Sequence, residues 1–72
     1  MHSKSALENK TRRLVFNYVS ANPGVTFSTI RRVLDLEDST LRYHLKYLER
    51  EDKIISKAEG RFRCYYANQV IG

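Results

Sequence analysis

The residues best suited to hold a charged partner fall in one segment, residues 39–50, where basic and aromatic side chains recur at helical spacing. A helix turns by about 100° per residue, so Leu41, Leu45 and Leu48 form one apolar stripe. The other side of the same helix carries Ser39, Arg42, Tyr43, Lys46 and Arg50. An arginine fork can take O6 and N7 of guanine, and a lysine can do the same or hold a phosphate. The pattern predicts a helix buried on its leucine side and ready to bind a polyanion on the other.

The remaining polar groups of this helix fit the same chemistry. Ser39 and Thr40 fall in its first turn, where free backbone N–H groups and the helix dipole favour a phosphate. Tyr43 and Tyr47 can hydrogen-bond a phosphate or lie against sugars and thymine methyl groups. An ordinary solvated helix surface is the alternative interpretation. The scarcity of acids on this face and an exposed tyrosine between basic residues favour DNA binding.

Length and charge agree with a small nucleic-acid-binding domain. The 72 residues suffice for a single domain over 1–72, and 42% of them are hydrophobic, as a folded domain requires. Thirteen Lys and Arg residues against eight Asp and Glu give a net charge of +5 and a pI of about 9.7. This balance favours a polyanionic partner, with nucleic acid ahead of an anionic membrane surface.

The single cysteine and the short apolar runs indicate the cellular compartment in which the protein works. Cys64 is the one cysteine, so no intramolecular disulfide can form, and we expect a reducing, cytoplasmic environment. No apolar run is long enough to cross a bilayer, and residues 1–4 lack the apolar stretch of a signal peptide. We therefore expect no membrane partner.

Two further helices are predicted before residue 35. The first runs from Ala6 to about Ala21, opened by a capping box of Ser5 and Glu8 and stopped by residues 22–24. Its buried stripe would be Leu7, Leu14, Val15, Tyr18 and Val19. Val25 is expected to be a strand of one or two residues, and Thr26 an N-cap. The second helix covers residues 27–34, with its apolar face formed by Phe27, Ile30, Val33 and Leu34.

A tight turn and then a hairpin complete the predicted fold. Residues 35–38 form the turn, in which Leu36 fills the angle between two helices, and the third helix runs from Asp38 or Ser39 to about Glu51. Residues 53–57 and 61–66 are strands joined by a turn at 59–60. Phe62, Cys64 and Tyr66 should form the buried face of the second strand, and Arg61, Arg63 and Tyr65 the other. This order predicts an α+β, mostly helical fold, a winged helix-turn-helix.

Three segments resemble one family in order and spacing. Residues 36–49 are similar to the recognition helix of MarR- and ArsR-like winged-helix transcription regulators, 22–28 to the link into their second helix, and 60–66 to the returning wing strand. The likeness is greatest to archaeal members. It implies DNA contacts from Ser39, Thr40, Arg42, Tyr43 and Lys46, and wing contacts from Arg61 and Arg63. Glu37 stands where the family often has a Ser or Thr cap, and the wing turn is short.

Other basic residues flank the predicted recognition helix. Arg31 and Arg32 lie on the second helix, which crosses the DNA backbone in this motif. Lys53 and Lys57 can support the wing, and we expect Arg50 at a phosphate. Lys10, Arg12 and Arg13 are either a solvated face or backbone contacts, and the sequence leaves both open. The predicted DNA-binding set is therefore Ser39, Thr40, Arg42, Tyr43, Lys46, Tyr47, Arg50, Arg31, Arg32, Lys57, Arg61 and Arg63.

Catalytic and metal chemistry find no support in the sequence. His44 lies beside the leucine stripe and is expected to be packed or capping, and Cys64 to be a buried thiol. No nucleophile–base pair, glycine-rich phosphate loop or metal-ligand spacing is recognisable. We expect no enzymatic activity, no cofactor, no metal and no evident small-molecule site.

The favoured function is sequence-specific duplex DNA binding as a transcription regulator. Such domains usually pair to read two half-sites, so we expect a homodimer. Tyr65, Tyr66, Val70 and Ile71 would pack on the first helix or form the dimer seam. The first alternative is a winged-helix module for protein–protein contact within a larger complex. The second is a single-strand or RNA binder that stacks bases on its tyrosines.

Overall fold

The computed structural model describes residues 9–68, which form three helices and one antiparallel sheet. The elements are α1 (Lys10–Ala21), β1 (Val25–Thr26), α2 (Phe27–Leu34), α3 (Asp38–Arg50), β2 (Ile54–Glu59) and β3 (Phe62–Ala67). The sheet order is β1-β3-β2, so the short strand before α2 pairs with the returning strand of the hairpin. The α+β class, the helix-turn-helix order and the hairpin are confirmed. Within these residues no helix has the length and apolar character needed to span a bilayer.

Helix α1 begins later than the sequence predicts. Asn9 is extended, and its side chain accepts a hydrogen bond from the Arg12 backbone N–H at 3.1 Å. An N-cap at Asn9 satisfies one of the first-turn N–H groups, so a continuous helix from Ala6 is wrong. The predicted capping box of Ser5 and Glu8 lies outside the described residues, as does Leu7.

Both helices of the helix-turn-helix unit end in the same way. Asp35 takes a left-handed φ of 55°, and the Leu36 N–H donates to the Arg31 carbonyl at 3.1 Å. Asp52 has a φ of 60°, and the N–H of the next residue donates to the Leu48 carbonyl at 2.8 Å. These are Schellman endings, which reverse the chain directly after a helix. The first ending sets where the chain leaves α2 and turns towards α3. The second sets where it leaves α3 and turns towards β2.

The core lies between the three helices and one face of the sheet. Its buried members are Val15, Val19, Ile30, Leu41, Leu45, Leu48, Ile54 and Tyr65. The predicted leucine stripe of α3 is confirmed, and Leu36 packs against the core from the turn. The prediction that Leu14 and Val33 are buried is wrong, because 53% and 51% of their surfaces are exposed. Each lies at the edge of its helix's buried stripe, which centres on Val15 and Val19 in α1 and on Ile30 in α2.

The hairpin buries the face opposite to the one predicted. Its register pairs Ser56 with Tyr65 and Glu59 with Phe62, so residues 62, 64 and 66 share one face and residues 63 and 65 the other, as predicted. However, Tyr65 belongs to the core, whereas Phe62 is 60% exposed. The expectation that Phe62 and Tyr66 form the buried face is therefore wrong. Cys64 is buried as expected, although it lies on the outer face of the central strand.

Candidate nucleic-acid interface

Helix α3 presents its predicted binding side chains to solvent. Leu41, Leu45 and Leu48 are buried on its inner side, whereas its outer side is exposed at Ser39, Arg42, Tyr43, Lys46 and Arg50. Thr40 and Tyr47 are half-buried at its edges. A shallow depression joins four of these predicted residues with one acid; it is lined by Asp38, Ser39, Arg42, Tyr43 and Lys46. These four predicted residues therefore share one continuous surface.

Asp38 brings the basic residues of α2 and α3 together. Its Oδ1 lies 3.3 Å from Arg31 Nε, and its Oδ2 lies 3.8 Å from Arg42 Nη2. All three side chains are well exposed, so these ion pairs add little stability. They do place Arg31 beside the α3 surface, with Arg32 exposed next to it on α2. The spacing of Asp38 and Arg42 is the i, i+4 signal that could have revealed half of this arrangement.

Arg12 lies under the α3 surface and not on an outer face of α1. It is only 5% exposed, and its Nε donates a hydrogen bond to Nδ1 of His44 at 3.3 Å. Its guanidinium carbon lies 3.8 Å from the ring centroid of Tyr47 and 5.6 Å from that of Tyr43. Both interpretations offered by the sequence, a solvated face or a phosphate contact, are therefore wrong for Arg12. We call Arg12, Tyr43, His44 and Tyr47 the Arg12 cluster.

His44 is neutral in this arrangement. A hydrogen bond accepted at Nδ1 requires that nitrogen to carry no proton. Burial, followed by the charge of Arg12, lowers the pKa of His44 below its usual value. The expectation of a packed histidine is confirmed, and the sequence missed only its partner. Tyr47, held against Arg12, has less surface for a partner than Tyr43, which is 58% exposed.

The hairpin divides its basic residues between two faces. Arg63 shares the inner face with Tyr65, and its Nη1 donates to Ser56 Oγ at 3.1 Å. Lys57 lies on the outer face, with its ammonium 5.4 Å from the ring centroid of Tyr66. Arg61 is exposed in the turn beside Gly60, whose φ is +64°. Arg63 is thus the hairpin cation that faces α3, and Lys57 is separated from it by the sheet.

A cleft of about 450 Å³ opens between the start of α2, helix α3 and strand β3. We call it the wing cleft; it is lined by Phe27, Arg42, Leu45, Lys46, Glu49, Arg63 and Tyr65. The pKa of Tyr65 is raised, first by burial and then by the charge of Glu49, while Arg63 and Arg42 oppose the rise. Three predicted DNA-binding residues therefore meet in a cavity that the sequence did not predict.

Groups that could ligate a metal are dispersed. Within residues 9–68 no three His, Cys, Asp or Glu side chains come together as a metal site would require. Cys64 is a buried thiol on the central strand. Cationic side chains in this part of the chain converge around α3, with Asp38 and Glu49 as acids among them.

Residues 9–71 match the HTH_HVO_0163_N family, described as an N-terminal HTH domain. The chain belongs to this family of helix-turn-helix domains. It is also 36% identical over 66 residues to the uncharacterized HTH-type transcriptional regulator MJ1398 of Methanocaldococcus jannaschii. That match covers 92% of this chain but only 17% of MJ1398, so the HTH domain spans a small part of its relative's length.

Solved structures agree with the fold of the HTH domain. A predicted DNA-binding transcriptional regulator from E. coli superposes with a TM-score of 0.82 at 23% identity, over 89% of this chain and 67% of that one. Reduced HlyU from Vibrio cholerae gives a TM-score of 0.82 at 22% identity, over 89% and 66%. At these identities the likeness shows the fold alone, which is the winged helix.

Proposed function

We propose that this HTH domain binds duplex DNA sequence-specifically, as the DNA-reading part of a transcription regulator. The observation that best supports this proposal is the exposed basic side of α3, which is continuous with Arg31 on α2 and faces Arg63 on the hairpin. A helix of this kind, flanked by cations on two other elements, matches the width and charge of a major groove. In this proposal α3 enters the groove and the hairpin wing lies on the backbone.

The side chains of α3 divide between base and phosphate contacts. Arg42 and Lys46 are exposed near the middle of the helix, where they can reach base edges. Tyr43 can lie against a thymine methyl group or a sugar. Ser39 is exposed in the first turn, and Glu37 makes no side-chain cap there, so backbone N–H groups remain for a phosphate. Thr40, Tyr47 and Arg50 border this surface and would act on the backbone.

Basic residues outside α3 would hold the domain on the duplex. Arg31 and Arg32 lie on α2, the helix that crosses the backbone in this motif. Arg61 and Arg63 would approach phosphates from the wing, and Lys57 would add charge from its outer face. Such contacts fix register and supply affinity without reading sequence.

We propose further that the regulator binds as a homodimer, because one module reads few base pairs. Tyr65 belongs to the core, so it is not available for the seam. Tyr66, also proposed for the seam, is half-buried on the outer face of the sheet. Val70 and Ile71 lie outside the described residues. A MarR- or ArsR-like mode of regulation, of archaeal type, stays a prediction.

Selection of bound duplexes from a random pool tests the proposal most directly. We expect an enriched site with two related half-sites about one helical turn apart. Affinity should fall steeply with salt, with a log–log slope of about −4 to −6 if five or six phosphates are neutralised. A single-stranded competitor of the same sequence should displace the domain poorly. Absence of any duplex binding at low salt would favour a protein–protein module, and preference for the single strand would favour base stacking.

A further inference from the structure

The Arg12 cluster supports one exposed aromatic ring, that of Tyr43, from its inner side. The guanidinium carbon of Arg12 lies 5.6 Å from the ring centroid of Tyr43. The His44 ring lies 5.3 Å from the same centroid at an interplanar angle of 62°, and the Tyr47 ring lies 6.3 Å from it. These distances and tilts are typical of cation–π and edge-on aromatic contacts. Arg12 and His44 are each 5% exposed, whereas Tyr43 is 58% exposed, so the ring has one packed side and one free side.

Tyr43 lies almost opposite the buried side of α3. At about 100° per residue it falls roughly 200° round the helix from Leu41, the first leucine of the buried stripe. Its neighbours in the shallow depression of α3 include Arg42 and Lys46. In the proposed complex a side chain at this outermost position meets the base edges, whereas sugars and phosphates lie along the rims of the groove. The free side of the Tyr43 ring therefore faces bases.

An aromatic ring favours an apolar group, and the bases offer one kind in the major groove. Their edges there carry hydrogen-bond donors and acceptors, together with the 5-methyl group of thymine. Cytosine methylated at C5 carries the same group at the same place. Burial of one methyl group raises affinity by about three- to fourfold. Ordering a mobile side chain on binding costs a comparable amount, so the contact adds affinity only when the ring is held beforehand.

We propose that Tyr43 contacts the 5-methyl group of a pyrimidine in the major groove, and that Arg12 is the positioning residue that holds its ring for this contact. Arg12 acts through the cluster and does not itself touch DNA. The methyl contact rests on the proposed function, whereas the positioning of the ring does not. A buried cation on α1 thereby contributes to sequence preference through a side chain of α3.

Deoxyuridine tests the methyl contact, because it pairs as thymine does and lacks only the 5-methyl group. Each thymine of a duplex enriched in the selection is replaced in turn, and the ratio of the two affinities is measured. We expect a loss of about three- to fourfold at one position of each half-site. Tyr43→Phe keeps the ring and should show the same loss, whereas Tyr43→Ala should bind both duplexes alike. No loss at any thymine, or an undiminished loss in Tyr43→Ala, would overturn the contact.

Cytosine methylation distinguishes the two bases that can carry the methyl group. At the position sensitive to deoxyuridine, the T·A pair is replaced by a C·G pair and then by the same pair methylated at C5 of cytosine. We expect methylation to raise affinity by about three- to fourfold over the unmethylated pair, and Tyr43→Ala to abolish this gain. A sensitive thymine without a gain from methylated cytosine would retain the Tyr43 contact and restrict it to thymine.

Arg12→Met and Lys10→Met form a matched pair for the positioning role, because each removes one positive charge from α1. Arg12→Met should reduce the loss caused by deoxyuridine to less than about 1.5-fold, because the ring must then be ordered on binding. Lys10→Met, at the exposed start of α1, should leave the loss unchanged. The ratio of two affinities does not depend on the fraction of folded protein, so a lower stability of Arg12→Met cannot imitate the effect. Equal ratios in the two variants would refute positioning by Arg12.

The positioning can also be measured without DNA, which separates this inference from the proposed function. The three-bond coupling between the backbone nitrogen and Cγ of Tyr43 reports whether χ1 is fixed or averaged. The natural domain should give the coupling of a single rotamer, and Arg12→Met an averaged one. A fixed ring in both would refute the role of Arg12. Duplex binding without a methyl preference would refute the Tyr43 contact and leave the function standing, whereas absence of duplex binding would refute the function and the contact together.

Discussion

The Nε of Arg12 donates a hydrogen bond to Nδ1 of His44 at 3.3 Å, and this contact joins the first helix to the helix with the proposed base-contacting side chains. The same guanidinium lies 3.8 Å from the Tyr47 ring centroid, on the next turn of α3. A buried cation is costly to desolvate unless its surroundings compensate it. Here a neutral imidazole and an aromatic face provide the compensation, so Arg12 holds α1 against α3.

Replacing Arg12 should therefore destabilise the domain. Arg12→Ala removes the hydrogen bond and the cation–π contacts, leaves His44 Nδ1 unpaired and opens a gap against Tyr47. We expect the free energy of unfolding to fall by about 2–3 kcal/mol. Arg12→Met keeps an apolar stem, so its free energy of unfolding should fall by less. Urea denaturation measures both, with Lys10→Ala, on the exposed start of α1, as a control that should change stability by less than about 0.5 kcal/mol.

Stability should also fall on mild acidification, because of His44. Its pKa is lowered in the folded state, so between this pKa and the unfolded value of about 6.5 the unfolded chain binds the extra proton. The contribution is complete above about pH 6.5 and is lost as the pH falls towards the folded pKa. Urea denaturation between pH 7.5 and 5.5 should show a steeper decline for the natural chain than for His44→Asn, whose amide oxygen can still accept from Arg12. Parallel declines would show that His44 is not the titrating group.

Much of the helix-turn-helix unit could be predicted from local patterns. The bounds of α2, the Thr26 cap and the leucine stripe of α3 follow from spacing and side-chain chemistry within a few residues. The exposed cations of α3 follow from the same stripe, since they occupy the opposite side. These features need no knowledge of distant contacts, which is why the predicted DNA-binding face and the solvent-exposed face of α3 largely coincide.

Features that depend on tertiary packing were harder to predict. Strand β2 begins with Ile54 and Ile55, one on each face of the sheet, so alternation reveals which residues share a face but not which face is buried. Arg12 is bonded to a residue 32 positions away, which no local pattern encodes. One signal was available: Arg12, Val15 and Val19 recur at spacings of three and four, the pattern of a single buried stripe. The wing cleft depends on how α3 and β3 approach each other, so no local sequence pattern could have predicted it.

The left-handed residue after α3 offers a stabilising substitution. Asp52 has a φ of 60°, a conformation that glycine adopts without strain and that Asp and Asn tolerate at some cost. Asp52→Gly should raise the free energy of unfolding by about 0.5–1 kcal/mol. Glu51→Gly is the matched control at a φ of −87°, and it should lower stability by increasing the entropy of the unfolded chain. Thermal melts of the two variants should move in opposite directions, and a shift of the same sign would contradict the argument.

Specific and general DNA contacts should separate when single cations are removed. Arg42→Ala should cost about 1–3 kcal/mol at one base position of the selected site and relax the preference there. Lys57→Ala should weaken binding to all sequences alike. It should also make the slope of log affinity against log salt concentration less steep by about 1. Binding to a set of single-base variants of the site measures both effects. An unchanged preference in Arg42→Ala would refute the assigned recognition helix.

Asp38 limits the charge that α3 can offer to DNA. Its carboxylate lies 3.3 Å from Arg31 Nε and 3.8 Å from Arg42 Nη2, so two proposed DNA contacts are turned towards an acid on the same surface. Asp38→Asn removes this competition and one negative charge that would face phosphates. We expect duplex affinity to rise by about three- to tenfold at low salt, and the gain to shrink as salt is added.

The control for Asp38→Asn is Asp35→Asn, which makes the same charge change in the preceding turn. Asparagine is tolerated at the left-handed φ of Asp35, so the turn should keep its shape. Asp38 pairs with two arginines of the proposed face, whereas no ion pair of Asp35 is present within residues 9–68. Asp35→Asn should therefore raise affinity by less than about twofold. Equal gains in the two variants would mean that net charge alone governs binding, and that Asp38 does not restrain Arg31 and Arg42.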